Sequence, residues 1–336
     1  MDEDKLTAEV YLSYDYQHET IMYTKNSNEL IAPASLTKLM TALILYENYP
    51  LNHEFITSYP FGYQYSGKVA YIPSGIVLTT EELLELILIY SANDAAYIIA
   101  NVVFGDYQKF IDEMNNKANK LSMDSTFFIN PDGLDEKGHV TTANDLLNLT
   151  IYILENTRLL DITSKEDILI DKLDIKKFNS TNTIINEGYI GLKTGWTSNA
   201  GLTFIGFNQE NNRQIITIVN NSIVDNEKTN HFIDTRILYN DSITNFKNIE
   251  LLGTDVNLYT IRSGISNIKK NNNQVIKSFQ FVQDNKNQPI ITIENNTYQI
   301  KFQETNEIIK YKINTDNKII YKFHWSSNIL KNVFNR

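Results

Sequence analysis

The strongest constraint in this chain is a strongly apolar stretch broken at its centre by a polar tripeptide. Thr79-Thr80-Glu81-Glu82 has the Thr-x-x-Glu form of a capping box, in which two residues three apart satisfy each other's free backbone N–H groups. The pattern predicts an apolar helix from there to Tyr90, an interruption at Ser91-Ala92-Asn93, and a second helix over 94–103. The run over 83–90 has the length of a core helix and falls short of the ~18 apolar residues that a membrane span needs. A polar tripeptide inside such a pattern is either a capped kink or a site.

Other elements arrange themselves around this pair. Residues 8–14 and 19–23 read as two strands about a polar turn at 15–18. Leu36, Leu39, Met40, Leu43 and Ile44 have helical spacing within 34–46. Helices are also expected over 107–121, over 146–154 behind a Thr142-Ala143-Asn144-Asp145 cap, and over 231–239. Asn130-Pro131-Asp132-Gly133 is a strong turn. Residues 202–207 and 214–220 read as paired strands around Asn211-Asn212. Beyond about residue 246 the texture changes to short runs with period-2 alternation, at 258–261, 275–282, 290–293, 298–302, 308–313 and 318–323. These suggest a small β-sandwich. The expected organisation is therefore 1–245, 246–325 and a tail at 326–336. In that tail Ile329, Leu330, Val333 and Phe334 fall on one helical face.

Composition excludes several function classes. The 336 residues contain no cysteine, so there is no disulfide framework, zinc ribbon or cysteine nucleophile. Formal net charge is −10, against a general nucleic-acid binder with a large basic face. Hydrophobic residues at 42% and charged residues at 21% exclude wholesale disorder. Met1-Asp2-Glu3-Asp4-Lys5 has neither the basic region nor the apolar region of a secretory signal.

Three segments can carry chemistry. Ser35 and Lys38 lie three apart on a predicted helix, hence on one face and within reach. A Ser hydroxyl becomes a nucleophile when a neighbour takes its proton, and a Lys with a lowered pKa can do so. At a helix start, backbone N–H groups can stabilise an oxyanion. In Ser91-Ala92-Asn93, the Ser can shuttle a proton and the Asn amide can bind a peptide carbonyl. In Lys193-Thr194-Gly195, Lys supplies charge, Thr a hydroxyl for a carboxylate, and Gly close backbone approach. Taken singly, each segment also fits an ordinary helix start, a capped kink or a strand end.

Order and spacing bring the three together. They follow one another 56 (91−35) and 102 (193−91) residues apart. With their flanks, Pro33-Ala34-Ser35-Leu36-Thr37-Lys38-Leu39-Met40-Thr41, Ser91-Ala92-Asn93-Asp94-Ala95-Ala96 and Lys193-Thr194-Gly195-Trp196-Thr197, the chain resembles the low-molecular-mass penicillin-binding proteins that are D-alanyl-D-alanine carboxypeptidases. Phe128-Ile129-Asn130-Pro131-Asp132-Gly133-Leu134 and His139-Val140-Thr141-Thr142-Ala143-Asn144-Asp145-Leu146 extend the resemblance, which covers roughly 8–245.

The resemblance implies an α/β (α+β) fold: a helical cluster plus antiparallel sheet of the penicillin-binding-protein and β-lactamase kind, followed by a small β-rich domain. It implies Ser35 as acylated nucleophile, Lys38 as general base, Ser91 as proton relay and Asn93 as holder of the substrate backbone. Lys193 and Thr194 would bind the terminal carboxylate, with Gly195 and Trp196 beside them. The backbone N–H groups of Ser35 and Trp196 would form the oxyanion hole. Tyr97 and His139 lie in matching segments, and His139 is expected to be structural. The implied substrate is a peptidoglycan stem peptide ending in D-Ala-D-Ala, with β-lactams as inhibitors and no metal or organic cofactor. The implied location is extracytoplasmic, with a short C-terminal segment able to make only feeble membrane-surface contact.

Two alternatives stand beside this. A class A-like β-lactamase would need a Glu-x-x-Leu-Asn segment between Asn93 and Lys193, and none is present. A non-catalytic cell-wall binding protein would have no need of the intact Ser35, Lys38, Ser91, Asn93 and Lys193. The sequence also departs from the family pattern. Ile190-Gly191-Leu192 precedes Lys193, and Ser180-Thr181-Asn182 stands for Asn-x-Asn. His231-Phe232 stands where many members have Arg-Phe, so His231 is expected to help hold the substrate carboxylate less well.

Overall fold

In a computed structural model, the described residues are 5–17, 19–60, 66–210 and 213–249, together with the backbone of seven strands between 257 and 325. The expected turns at 15–18 and 211–212 fall partly or wholly outside these residues, as does the tail at 326–336. The chain divides into two compact units, Met1–Asn240 and Asp241–Arg336.

The first unit is built on a five-stranded antiparallel sheet. Its strands are β1 (Val10–Asp15), β2 (Thr20–Lys25), β7 (Lys193–Thr197), β8 (Gly201–Glu210) and β9 (Arg213–Ser222), in the order β2-β1-β9-β8-β7. All six residues of β1 are buried. Its pleat sends Val10, Leu12 and Tyr14 into the main apolar core and Tyr11, Ser13 and Asp15 to the opposite face. The same alternation puts Ile205 and Phe207 of β8 in the main core, while Phe204 faces the closing helix α7 (Asn230–Asn245) through Phe232. Both faces of the sheet are therefore covered.

The core-facing helices are α1 (Lys38–Asn48), α2 (Thr80–Glu85), α3 (Asn93–Ile98), α4 (Tyr107–Lys120), α5 (Ala143–Asn156) and α6 (Leu159–Thr163). The capping box of α2 is formed: Glu82 N donates to Thr79 Oγ1 at 3.2 Å and Thr79 N to Glu82 Oε2 at 2.7 Å. The predicted apolar helix then widens into a π turn at Leu86–Tyr90, and Ser91 ends it in the left-handed region at φ 69°. α3 likewise runs into a π turn, Ile99–Val103. Thr142 caps α5, accepting from Asp145 N. The Asp145 carboxylate accepts instead from Ser125 N at 3.0 Å and Thr126 Oγ1 at 2.7 Å. An Asp is shorter than the Glu of a full capping box and serves a neighbouring turn here.

Short elements absent from the sequence reading are the hairpins β3 (Glu54–Ile56) with β4 (Val77–Thr79) and β5 (Asp167–Leu169) with β6 (Lys177–Asn179), and helix α6. No described helix is long and apolar enough to cross a membrane.

The second unit holds β10 (Phe246–Ile249) and β13 (Phe279–Val282) as an antiparallel pair. A six-stranded sheet joins β11 (Asn257–Arg262), β12 (Ile268–Val275), β14 (Ile290–Glu294), β15 (Thr297–Lys301), β16 (Ile308–Asn314) and β17 (Ile319–Trp325), in the order β12-β11-β17-β16-β15-β14. Here one expectation needs correction. The run at 275–282 is not one strand: it joins the last residue of β12 to β13, which belong to different sheets.

Candidate active site

Ser35 lies in a 3-10 turn, Ala34–Thr37, that leads into α1. Ala34 sits at φ 48°, a left-handed conformation that costs a non-glycine residue roughly 1–3 kcal/mol and persists only where the surroundings enforce it. Two glycines do so. A Cβ on Gly133 would stand 1.8 Å from Ala34 O, and Gly133 is itself at φ 87°. A Cβ on Gly195 would stand 3.0 Å from both Ala34 Cβ and Ser35 N. The Asn130–Gly133 turn and strand β7 thus close on Ser35 from two sides, at a distance that only glycine allows.

Lys38 opens α1 and is fully buried. Its Nζ lies 3.0 Å from Ser35 Oγ, 2.7 Å from Asn93 Oδ1 and 2.6 Å from Asp132 O. Asn93 Oδ1 and Asp132 O can only accept. A neutral Lys38 amine has two N–H groups for these two acceptors, and its lone pair is then left for the Ser35 hydroxyl. Burial, opposed in part by the carboxylates of Asp132 and Asp94, lowers the Lys38 ammonium to about 8. At that value roughly a tenth of the molecules carry the neutral amine at pH 7, against about one in 2,500 for an unperturbed lysine.

Asn93, the second residue after Ser91, starts α3. Its Nδ2 donates to Ser66 O at 2.7 Å and its backbone N to Lys68 O at 2.8 Å. The adjoining Asp94 carboxylate, fully buried, accepts from Ala70 N at 3.0 Å and Ile72 N at 3.1 Å. These bonds bind residues 66–72 to the start of α3. Burial raises the Asp94 carboxyl above its usual range, against the pull of those backbone donors. Lys68 holds its ammonium 4.1 Å from the centroid of Tyr90, the residue before Ser91.

Lys193 opens β7 and pairs with Ile205, so its side chain faces the helical core on the same side as Lys38. It is buried, with Nζ 2.9 Å from Thr194 O. Burial first, then the charges of Lys38 and Lys68, push its ammonium well below the ordinary value. Thr194 Oγ1 donates to Thr181 Oγ1 at 2.6 Å. Trp196 is 46% exposed, with Lys228 Nζ 3.5 Å from a ring centroid.

His139 lies behind the Ser35 turn. Ile129 N donates to its Nδ1 at 3.1 Å, which leaves Nε2 as the protonated nitrogen, 2.8 Å from Thr37 Oγ1. Burial lowers its pKa to about 4. The ring is a neutral link between the 129–139 segment and the Ser35 turn. Tyr97 stacks with Tyr59 at 6.1 Å. His231 is buried against Phe232 at 3.9 Å and Phe204 at 6.3 Å, and Phe204 is the cross-strand partner of Thr194. Its Nδ1 has no partner, and among the described residues its ring makes no hydrogen bond to Lys193 or Thr194. Burial lowers it to about 4, not the ordinary ~6.5 assumed from sequence, so it carries no charge near pH 6.

Ser35, Lys38 and Asn93 are thus joined by hydrogen bonds through Lys38, and Gly195 closes on the Ser35 turn. Sequence reasoning missed the two carbonyls, Asp132 O and Ser66 O, as well as Asp94, Thr181 and Lys68. The Asn130–Gly133 turn, Asp94 and Thr181 lay within segments compared with the family pattern, though without a role; Ser66 and Lys68 had no signal.

Sheet and helix cluster together are those of the penicillin-binding-protein and DD-peptidase fold. The chain belongs to the D-alanyl-D-alanine carboxypeptidase family, whose model matches residues 1–223. It is 34% identical over 209 residues to the D-alanyl-D-alanine carboxypeptidase DacF of Bacillus subtilis, covering 59% of this chain and 53% of that protein. Penicillin-Binding Protein D2 from Listeria monocytogenes, solved with ampicillin bound, is 30% identical with a TM-score of 0.62, over 71% of this chain and 98% of that one. The D-alanyl-D-alanine carboxypeptidase DacD from Francisella tularensis, 22% identical, shares the fold over 90% of this chain and 91% of its own, with a TM-score of 0.71. The chain spans little more than half the length of the first curated relatives it matches.

Proposed function

We propose that this chain is a serine-type D-Ala-D-Ala carboxypeptidase that trims peptidoglycan stem peptides through an acyl-enzyme on Ser35, and that β-lactams inhibit it by acylating the same residue. The observation that carries this reading is Lys38 Nζ, fully buried, 3.0 Å from Ser35 Oγ, with its other contacts taken by two obligate acceptors.

Neutral Lys38 takes the Ser35 proton as Oγ attacks the carbonyl of the penultimate D-Ala. The resulting oxyanion is held by the backbone N–H groups of Ser35 and Trp196. Ser91 passes a proton to the nitrogen of the terminal D-Ala, the C–N bond breaks, and free D-Ala leaves. Water then attacks the ester and restores the Ser35 hydroxyl. Lys193 and Thr194 bind the terminal carboxylate, and Asn93 holds the peptide backbone. His231, buried and uncharged beside Phe232 and Phe204, contributes little to holding that carboxylate. Residues 1–245 carry this chemistry, and 246–325 form a separate β domain. The substrate lies outside the cytoplasm, so the reaction does too; the tail at 326–336 would add only weak contact with a membrane surface.

Intact-mass spectrometry after benzylpenicillin tests the reading. One acyl adduct is expected, mapping to Ser35 and lost in Ser35→Ala. D-Ala should be released from peptides ending in D-Ala-D-Ala and not from an L-Ala-terminated analogue. Rapid β-lactam turnover without D-Ala release would make the chain a β-lactamase instead, and absence of any adduct would make it a non-catalytic binder.

A further inference from the structure

The segment 66–72 is held more firmly than a loop beside a cleft needs to be. Asn93 binds it at Ser66 O and Lys68 O, and Asp94 binds it at Ala70 N and Ile72 N. The packing at Gly67 is equally close, since a Cβ there would stand 2.6 Å from Asn93 Nδ2. The residue so positioned is Lys68. Its backbone is tied to Asn93 and its ammonium lies over Tyr90, so it flanks the Ser91-Ala92-Asn93 segment on both sides.

This ammonium has no carboxylate of its own. Among the described residues Lys68 makes no ion pair, whereas Lys117, Lys165, Lys172 and Lys177 each do. A cation over an aromatic face keeps its N–H donors free on the side away from the ring. The carboxylates nearest the site, Asp94 buried and Asp132 half-buried, are committed to backbone N–H groups, Asp132 to Leu134 N. The chain as a whole carries a net charge of −10, so an unpaired cation against Lys38 and Lys193 is a local reversal. Asp132 and Asp94 face Lys38 as counter-charges, whereas Lys68 makes no ion pair among the described residues and can receive an anion from outside. Lys193 and Thr194 already account for the carboxylate of the leaving D-Ala. Lys68 belongs to the other wall, beside Asn93, where the acyl part of the substrate would run.

From this we infer that Lys68 is a specificity-determining residue that binds a second carboxylate, carried by the acyl part of the substrate one or two residues before the terminal D-Ala-D-Ala. The inference rests on the carboxypeptidase reading for the direction in which substrate lies. A charge-assisted bond at this position corresponds to a preference of about tenfold over a neutral isostere.

Calorimetric binding to the Ser35→Ala protein tests it without requiring turnover. Four peptides ending in D-Ala-D-Ala are compared. One has a diacetylated lysine before the pair. In the second this residue carries a side-chain carboxylate. The third bears a γ-linked glutamate with free α-carboxylate one residue earlier, and the fourth is its α-carboxamide. The expected result is tighter binding, by about tenfold, of the second over the first or of the third over the fourth. The pair that differs identifies which carboxylate is read. In Lys68→Met the ratio should fall to near one, and Lys68→Arg should retain most of it. Equal affinities within both pairs, or a ratio unchanged in Lys68→Met, overturn the inference. Loss of the carboxypeptidase reading would show separately, as absence of D-Ala release and of the penicillin adduct in the unmodified protein.

Discussion

On the proposed mechanism, Lys38 sets the pH range in which Ser35 can act. Its acid form is inactive as a base, so the acylation rate should rise as pH increases and level off above the ammonium's pKa of about 8. Second-order rates of benzylpenicillin acylation between pH 6 and 10 measure this, and a profile flat across pH 8 would assign the base to another group. Lys38→Ala should slow acylation by about 10²–10⁴-fold. It also strips hydrogen bonds from Asn93 Oδ1 and Asp132 O, so its folded state should be confirmed by a thermal melt. Gly133 is a second single-residue test. Any side chain there meets Ala34 O at the base of the Ser35 turn while also being held in a left-handed conformation. Gly133→Ala should therefore cost several-fold or more in acylation rate and lower the melting temperature. Gly138→Ala, also left-handed but with only Ile129 Cδ1 near, should lower the melting temperature with far less effect on acylation. Equal effects on acylation would mean that Gly133 serves the chain only as a turn.

At the scale of elements, two buried histidines link segments to the site and make stability depend on pH. His139 joins the 129–139 segment to the Ser35 turn, and His231 packs α7 on β8. Both have folded-state pKa values lowered to about 4, against ~6.5 unfolded. The unfolded chain therefore binds more protons between these values. Stability contributed by the neutral rings is fully present above pH 6.5 and is lost as pH falls toward 4, by up to ~3 kcal/mol for each ring. Asp94 and Asp132, with raised pKa values, act in the opposite sense. Comparing wild type with His139→Gln removes that background. The variant should be less stable by urea denaturation at pH 7, and the gap should narrow by pH 4.5. A constant gap would mean that His139 is not neutralised by burial. For His231, the buried ring leads us to expect that His231→Phe leaves KM within about twofold; a large rise in KM would put its Nε2 on the substrate.

The same elements show what could be read in advance. The α2 cap, the break at Ser91-Ala92-Asn93 and the position of Lys193 were legible because caps, apolar periodicity and side-chain chemistry are written in residue types. Asp132 O and Ser66 O were not, because a backbone carbonyl is the same in every residue and only the fold decides where it points. The three-residue strands β3 to β6 are too short to show a period. The 275–282 run looked like one strand because alternation continues across a change of sheet. For Lys68, nothing in Ser66-Gly67-Lys68 distinguishes an unpaired cation beside a cleft from a solvated surface lysine.

Across the whole molecule, charge is distributed so that the site should take up a proton when it binds a carboxylate. Lys38, Lys68 and Lys193 stand within electrostatic reach of one another in a protein of net charge −10, and Lys193 is depressed by burial and by the other two. An anion arriving at Lys193 and Thr194 favours the ammonium over the amine, so it raises the pKa of Lys193. By linkage, binding then draws protons from solution, and the affinity for the carboxylate falls as pH rises through the range where free Lys193 is neutral. Calorimetry of a D-Ala-D-Ala peptide with the Ser35→Ala protein, in buffers of differing ionisation enthalpy, measures the number of protons directly. A net uptake greater than zero is expected at pH 7.5. The same peptide ending in a carboxamide should show none, because it brings no charge. Lys193→Met should abolish the uptake as well as weaken binding. Lys68→Met should reduce the uptake, since Lys193 then begins less depressed. Proton release on binding, or equal uptake by acid and amide, would mean that Lys193 is already charged in the free protein and that its burial is compensated in another way.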